Sequence, residues 1–268
     1  WNGAAAQTYT KSDTLRGTLS PARSCYDVTF YHLTLTVNPK EKIITGKNLF
    51  QFRCVNDFDS LQIDLSSKLK IDSIVWRNEK LKFRRMMNAV FVFFSKKIPA
   101  GENDFFTVYY GGKPTAAVNP PWDGGFVWST SVSPSGEKKD WVGVACEGIG
   151  ASVWWPCKDH LSDEPDSMLL TYITPENLTC VANGKLRSQK SLGNNSHEWN
   201  WFVSYPINSY CVTFNLADYG HIHDVFISGN DSFPLDYYVL KNEVDEAKDF
   251  FQQVKVMMAC YEKYFGPY

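Results

Sequence analysis

The hydrophobic pattern of the chain consists of short alternating runs followed by one helical stripe near the end. From Tyr26 onward apolar and polar residues alternate, as in Leu33–Val37, and turn residues such as Asn38–Lys40 separate the runs. A period of two is typical of half-buried β-strands. The continuous apolar run 89–94 predicts a strand that is buried on both faces. The pattern predicts an all-β fold: a large antiparallel or mixed twisted sheet, saddle- or sandwich-like, with one C-terminal helix.

The last element has the one strong helical pattern. Asn242 is the expected N-cap, and Gly266 with Pro267 is the expected stop. Because an apolar helix face is rarely left in water, we expect this helix to fold back on the β-domain, to self-associate or to be poorly ordered. Apolar residues spaced three and four apart define its face: Val244, Ala247, Phe251, Val254, Met258 and Tyr261.

These patterns divide the chain into three parts. Residues 1–24 are predicted to be an irregular N-terminal arm, 25–240 an N-terminal β-domain, and 241–268 a terminal helix. The longest loop-like stretch, 111–125, contains Trp122. We expect Trp122 to plug the core rather than to be an exposed binding residue, because large aromatics are mostly buried.

Composition excludes some classes of function. A net charge of -2 without a basic stripe argues against nucleic-acid binding. No apolar run approaches the roughly 18 residues that span a bilayer. The seven cysteines are an odd number without C-x-x-C pairs, which is neither a disulfide framework nor a zinc knuckle. The polar, small-residue start favours an exported, periplasmic or extracellular protein over a cytoplasmic one.

The chemistry that needs explaining lies in the stretch 141–166. A predicted strand over Trp141–Cys146 is followed by Glu147 and then by Gly148 and Gly150. A lone carboxylate at the end of an apolar strand is costly unless a cation meets it. The residues alone favour a turn cap or a lysine partner for Glu147, and leave a bound cationic ligand as the alternative.

Two short motifs in this stretch carry a family resemblance. The strand end is Ala145-Cys146-Glu147, and Trp154-Trp155-Pro156-Cys157-Lys158-Asp159 follows a small-residue turn. Together they resemble the signature of the N-terminal domain of aminopeptidase N-type zinc metallopeptidases, the family that includes leukotriene hydrolase. An insertion precedes Asp163-Glu164-Pro165. Either Asp159 or Asp163 therefore corresponds to the aspartate of the family.

The resemblance implies a function for the stretch and for the whole parent protein. Glu147 would receive the free α-amino group of a peptide substrate, beside the permissive turn of Gly148 and Gly150. A helix ending in the letters YFGPY opens the catalytic domain in that family. We therefore expect a fragment whose residues 241–268 pack against a missing catalytic domain.

The same resemblance implies zinc in the full-length parent and none in this fragment. The metal ligands of the family come from H-E-x-x-H and a distal glutamate. None of the five histidines are spaced four apart. His221 and His223 lie on one face of a strand and could share a metal, but a solvated strand pair is favoured because no third ligand is apparent nearby. We expect the fragment alone to be inactive.

Two other classes of function remain open at this level. One is a non-catalytic β-sandwich binding or scaffold module that recognises carbohydrate or protein through exposed aromatics, and the other is a peptidase relative that has lost its metal. A binding module would gather tryptophans on one open surface away from Glu147. The candidates are Trp122, Trp128, Trp154 and Trp155.

Overall fold

A computed structural model describes residues 9–120, 122–146 and 148–267. The described residues form mainly β-structure with one long C-terminal helix, which confirms the predicted fold class. The helices are α1 Lys11–Gly17, α2 Pro21–Ser24 and α3 Val244–Phe265. In chain order the strands are β1 Tyr26–Asn38, β2 Ile43–Cys54, β3 Phe58–Asp64, β4 Lys70–Trp76, β5 Glu79–Lys80, β6 Lys82–Met86, β7 Ala89–Ile98, β8 Asn103–Gly112, β9 Gly125–Val132, β10 Lys138–Ala145, β11 Ser167–Pro175, β12 Thr179–Ala182, β13 Lys185–Gly193, β14 Ser196–Val203, β15 Phe214–Ala217, β16 Tyr219–Ser228 and β17 Asp231–Leu240.

The largest sheet has eight strands in the order β13-β14-β11-β1-β2-β8-β4-β5. Two of its inner strands, β1 and β11, pair in parallel, with a register that runs from Phe30 opposite Ser167 to Thr36 opposite Ile173. The pairs on either side, β1 with β2 and β11 with β14, are antiparallel. Between β1 and β11 the described residues form strands, loops and one 3-10 turn, Ala151–Val153, and none of them forms an α-helix. The sheet is therefore mixed, and its middle is built from segments far apart in sequence.

A three-stranded sheet, β3-β7-β6, covers part of one face of the large sheet. Phe58 of β3 lies with its ring 5.8 Å from that of Phe52 in β2, and Phe94 of β7 lies 6.0 Å from Phe106 in β8. All four rings are buried. Alternation along each strand sends these side chains inward and their neighbours outward, which produces the predicted sandwich-like core.

A four-stranded sheet, β12-β15-β10-β9, packs beside the same core. Phe214 of β15 lies between Phe126 of β9, at 5.9 Å, and Tyr172 of β11, at 4.8 Å. The hairpin of β9 and β10 turns through residues 133–137. Strand β10 leads directly into the stretch around Glu147, so this sheet fixes where that stretch begins.

Two sequence expectations about aromatic burial are wrong. Within the run 89–94, Phe93 is 40% exposed, because β7 is the middle strand of a thin sheet with one face in solvent. Trp122 is 76% exposed and does not plug the core. The loop that carries it is anchored instead by Ala117 and Phe126, whose backbone groups hydrogen-bond at 2.9 Å.

The described part of the N-terminal arm is helical, so its prediction as irregular is wrong. Helix α1 begins with a capping box, in which the Asp13 amide donates to the Thr10 hydroxyl at 3.4 Å and the Asp13 carboxylate accepts from the Thr10 amide at 2.7 Å. Pro21 occupies the first turn of α2. Both helices are too short to show an apolar stripe, so the residues at their N-termini are the only sequence signals that indicate them.

The C-terminal hairpin of β16 and β17 supports α3. The Phe251 ring stacks on Tyr237 at 4.2 Å, and Lys255 Nζ lies 2.6 Å from a carboxylate oxygen of Asp224. Folding back on the β-domain is thus the outcome observed among the three expected. The predicted N-cap is wrong, because Asn242 lies in a 3-10 turn before Val244. None of the described helices is long and apolar enough to cross a membrane.

Candidate functional site

Glu147 lies outside the described residues, but the turn that follows it is well defined. Gly148 has φ +66° and Gly150 has φ +82°, both in the left-handed region. A Cβ atom on Gly150 would lie 2.3 Å from an Asp159 carboxylate oxygen, whereas one on Gly148 would meet nothing within 4 Å. The turn therefore requires glycine at 150 for space as well as for conformation. Substrate contact by these residues stays a prediction.

Helix α1 holds this turn from outside. Arg16 Nη1 donates to the Gly148 carbonyl at 3.0 Å, and Arg16 Nε lies 3.9 Å from a carboxylate oxygen of Asp159. A second contact joins His160 Nε2 and the Gly17 carbonyl at 3.2 Å. The short N-terminal helix thereby bridges both sides of the loop that follows Glu147.

Asp159 ties the loop to the β-core. Its Oδ2 accepts from the Ser152 hydroxyl at 2.7 Å and from the Ser152 amide at 3.2 Å. Its own amide donates to Asp64 Oδ2 at 3.2 Å. The Ser152 carbonyl in turn accepts from the Ser66 amide at 2.7 Å. Four polar contacts thus fix a segment that contains neither an α-helix nor a strand and has one 3-10 turn, Ala151–Val153.

A buried ion pair lies beneath Asp159. Arg23 Nη2 is 2.6 Å from Asp64 Oδ2, and the two side chains are 0% and 3% exposed. Gln62 Nε2 donates to the other oxygen of Asp64 at 3.1 Å. Burial raises the pKa of Asp64 to about 6, although Arg23 and these hydrogen bonds act in the opposite direction. Ionised Asp64 therefore needs Arg23, because an unpaired buried charge is costly.

Asp163 serves a different part of the loop. Its carboxylate forms an ion pair with Lys158, and both side chains are buried. Lys158 Nζ also donates to the Tyr26 carbonyl at 2.6 Å, and the Val28 amide donates to Asp163 at 3.3 Å. Burial raises the pKa of Asp163 while Lys158 opposes the shift. Asp163 is enclosed against β1, whereas Asp159 faces the glycine turn.

The tryptophan pair in this stretch is part of the core. Trp154 and Trp155 are both 0% exposed. The Trp155 ring meets Tyr31 edge-on at 5.1 Å, and Trp154 lies 5.6 Å from Phe214. Two positions after Trp155 the chain pairs with β3, since Cys157 and Asp64 exchange backbone hydrogen bonds of 2.8 and 3.1 Å. These indoles anchor the loop and present no surface to a ligand.

The cysteines beside the turn are not poised for nucleophilic chemistry. Burial raises the pKa of Cys146 to about 11 and raises that of fully buried Cys157 as well. A reactive thiol needs a lowered pKa and access to solvent. Both residues therefore act as small apolar groups.

An open cavity of about 560 Å³ adjoins the glycine turn. Gly148 and Gly150 form one wall, Arg16 of α1 another, and Tyr210 a third. Asp159 adds a carboxylate that is only 10% exposed. Volumes of roughly 300–1,000 Å³ are usual for ligand sites. Gly148, which lines this cavity, directly follows the predicted substrate-binding residue Glu147 in the chain.

Sequence reasoning missed three residues that shape this site: Arg16, Arg23 and Asp64. Arg23 and Asp64 are far apart in sequence, so no local pattern pairs them. Arg16 had one available signal. The spacing of Thr10 and Asp13 is that of a capping box, which would have marked a helix whose last turn carries the arginine.

Comparison with known protein families assigns this chain to a family. The family model of the peptidase M1 N-terminal domain matches residues 27–211, which include the whole stretch from Trp141 to Asp166. The chain belongs to the peptidase M1 N-terminal domain family. No curated protein sequence matches it significantly. The family resemblance stated from the residues is thereby confirmed.

Solved M1 zinc metallopeptidases share the fold of this M1 N-terminal domain. A variant from Deinococcus radiodurans bound to a Tyr-Ser-Ala substrate is 17% identical, with a TM-score of 0.74, covering 91% of this chain and 54% of that one. A two-domain M1 zinc metallopeptidase bound to L-tryptophan is 18% identical, with a TM-score of 0.71 and the same coverage. The chain spans about half the length of these structures.

Proposed function

We propose that this M1 N-terminal domain is the substrate-anchoring part of a zinc-dependent aminopeptidase that removes N-terminal residues from peptides. Glu147 would bind the α-amino group of the substrate and so set the register of cleavage. Family membership over a segment that contains Glu147 is the observation that carries the proposal. The related structures bound to a peptide and to an amino acid support a peptide substrate.

The geometry around Gly148 supports this role. A left-handed glycine with no atom within 4 Å of an added Cβ leaves room for a ligand to approach the backbone. The adjoining cavity offers space for the first side chain of a peptide. Arg16 and Asp159 hold the turn from two directions, so the carboxylate would be presented by a pre-organised loop rather than a mobile one.

The catalytic zinc implied by the family does not fit the residues of this chain. None of the five histidines are spaced as in H-E-x-x-H. The ligands and the general base would belong to a further domain of the parent. Residues 241–268, which include α3, would pack against that domain, and the exposed aromatics Phe250, Tyr264 and Phe265 of α3 supply apolar surface for the contact. This chain alone should not hydrolyse an aminoacyl reporter substrate.

The test is Glu147→Ala in the full-length enzyme. Truncating one partner of a buried, hydrogen-bonded charge contact typically costs roughly 2–5 kcal/mol. At about 1.36 kcal/mol per tenfold in rate, kcat/KM should fall roughly 30-fold to a few thousand-fold. Zinc content and thermal stability should barely change, because the residue is not a metal ligand. Glu147→Gln should cost less, since its amide oxygen still accepts a hydrogen bond.

Kinetics and stability must be measured on the same purified protein. A turn-capping or lysine-pairing role for Glu147 gives the reverse pattern, with lower thermal stability and nearly normal kcat/KM. That result would refute the anchoring role.

The structure does not support the alternative function, a non-catalytic binding module that uses exposed aromatics. Its four candidate tryptophans do not share an open surface: Trp154 and Trp155 are fully buried, and Trp128 stacks on Phe126 at 4.9 Å. Trp122 alone among them is exposed. A single exposed indole is not the aromatic surface that carbohydrate recognition needs.

A further inference from the structure

Three metal-ligating side chains converge on the C-terminal hairpin, away from the cavity beside Gly148. His221 Nε2 lies 2.7 Å from Asp236 Oδ1, and His223 Nδ1 lies 2.8 Å from the same oxygen. The three ligand atoms lie within 4.8 Å of one another. Two imidazoles aimed at one carboxylate oxygen form a compact donor set.

The hairpin register explains the convergence. His223 is directly opposite Asp236, and His221 is opposite Tyr238. Residues two apart on a strand share a face, and cross-strand partners lie roughly 5 Å apart, so all three side chains stand on the same face. The sequence pattern supplied the two histidines, but only strand pairing brings the third ligand to them.

The cluster is held in shape and remains open to solvent. The His221 ring stacks on Tyr238 at 4.6 Å with an interplanar angle of 7°, and Tyr238 in turn meets Trp201 of β14 at 6.3 Å. The histidines are 46% and 58% exposed and Asp236 is 39% exposed. Helix α3 packs through Asp224 and Tyr237, whose positions put them on the opposite face of the hairpin. An ion can therefore reach the ligands without displacing the helix.

We propose that His221, His223 and Asp236 bind one divalent transition-metal ion, of which Zn²⁺ is the best fit. Imidazole nitrogen suits zinc, copper and nickel, and a carboxylate completes a borderline donor set that calcium and magnesium do not prefer. Three protein ligands leave one tetrahedral position for water. The ion would replace the two hydrogen bonds by bonds to a common centre and would cross-link β16 to β17. None of the three ligands lines the cavity beside Gly148, and the proposal does not depend on the role of Glu147.

The experiment is calorimetric titration of the metal-free 268-residue chain with Zn²⁺. A single saturable site is expected, and the thermal unfolding midpoint should rise with Zn²⁺. His223→Ala should weaken binding by about 100-fold or more, because even an outer-shell partner of a metal ligand is typically worth about 10–100-fold. Asp231→Asn is the matched control, since it removes a carboxylate from the same hairpin outside the cluster, and it should bind Zn²⁺ as the wild type does.

Exposed thiols are the competing ligands, because Cys211 and Cys260 are also accessible. Repeating the titration with Co²⁺ separates the two cases, since only thiolate ligation gives sulfur-to-metal charge-transfer absorption. The proposal predicts a Co²⁺ spectrum without that absorption and perturbed proton resonances of Tyr238. It is overturned if the wild type shows no saturable site, if His223→Ala binds Zn²⁺ as well as the wild type, or if the Co²⁺ spectrum shows thiolate ligation.

Discussion

The loop from Gly148 to Asp163 and the C-terminal unit of β16, β17 and α3 are held by opposite means. In the loop and directly beneath it, buried ion pairs and buried indoles hold a mostly irregular backbone against the sheet. In the C-terminal unit, regular secondary structure is joined by partly exposed contacts, and no residue of α3 is fully buried. In this domain the irregular loop is thus the more firmly held of the two regions, and the regular C-terminal unit is the more loosely held.

The difference agrees with the role that we propose for each region. A loop that is to present the proposed substrate-binding carboxylate of Glu147 has to be rigid, and because it lacks a hydrogen-bond ladder it depends on side chains to fix it. A helix whose outer face carries exposed Phe250, Tyr264 and Phe265 can stay loosely attached until a partner covers it. The ion pairs of the two regions allow a direct comparison, since Arg23–Asp64 and Lys255–Asp224 are both 2.6 Å long.

The largest expected effect is that of Arg23→Met. Removing one partner of a buried pair leaves an uncompensated charge on Asp64 and should lower the free energy of unfolding by about 3–5 kcal/mol at pH 7.5. Lys255→Met is the control, because its pair is 43% and 32% exposed and such pairs are worth about 0–1 kcal/mol. Urea unfolding measures both. Equal losses in the two variants would show that burial does not distinguish the regions.

The second effect is pH dependence through Asp64. Its pKa of about 6 in the folded chain exceeds the ordinary 3.8, so between pH 6 and 4 the folded state takes up a proton that the unfolded state does not. Stability from this group is therefore present below pH 4 and is lost as the pH rises through 6. At about 1.36 kcal/mol per unit, the loss amounts to about 3 kcal/mol.

Asp64→Asn removes this titration. The unfolding free energy of the wild type relative to Asp64→Asn should therefore decline between pH 4 and pH 6.5 in urea titrations. A difference that stays constant, or that grows with pH, would contradict the assignment.

The third effect separates two glycines of the site loop. Both adopt left-handed backbone, which costs an L-residue about 1–2 kcal/mol. Gly148→Ala should cost only that amount, because nothing lies near its added Cβ. Gly150→Ala should cost more, because its Cβ would be 2.3 Å from Asp159 Oδ2 and 2.8 Å from Arg16 Nη2. Thermal unfolding of the two variants side by side tests this, and a Gly148 variant that is the less stable would refute it.

The smallest global effect is expected from Phe251→Ala. Its ring is half-buried against Tyr237, so the change should loosen α3 from the hairpin and leave the β-core intact. Native-state hydrogen exchange should show faster exchange for α3 amides, with the slowest amides of β1 and β2 changed by less than about 0.5 kcal/mol. If the slowest amides of β1 and β2 exchanged faster to the same extent as those of α3, the helix would be part of the cooperative core.

Much of the β-architecture and the terminal helix follows from local pattern. Alternation from Leu33 to Val37 marks a strand because successive side chains point to opposite faces, and the three- and four-residue spacing before Gly266 marks a helix. Where the pattern gave a wrong prediction, the cause is the tertiary surroundings of the element. Phe93 lies in an apolar run and is predicted to be buried, but the three-stranded sheet that contains it has one face in solvent.

The fold class, the position of the terminal helix and the family of the segment around Glu147 could all be predicted from the sequence. Three features required the folded chain: the parallel pairing of β1 with β11, the anchoring of the loop by Arg23 and Asp64, and the proximity of Asp236 to two histidines. The physical reason is the distance along the chain over which each interaction acts. Periodicity and capping involve residues a few positions apart, whereas ion pairs, metal-ligand sets and sheet order involve segments that only folding brings together.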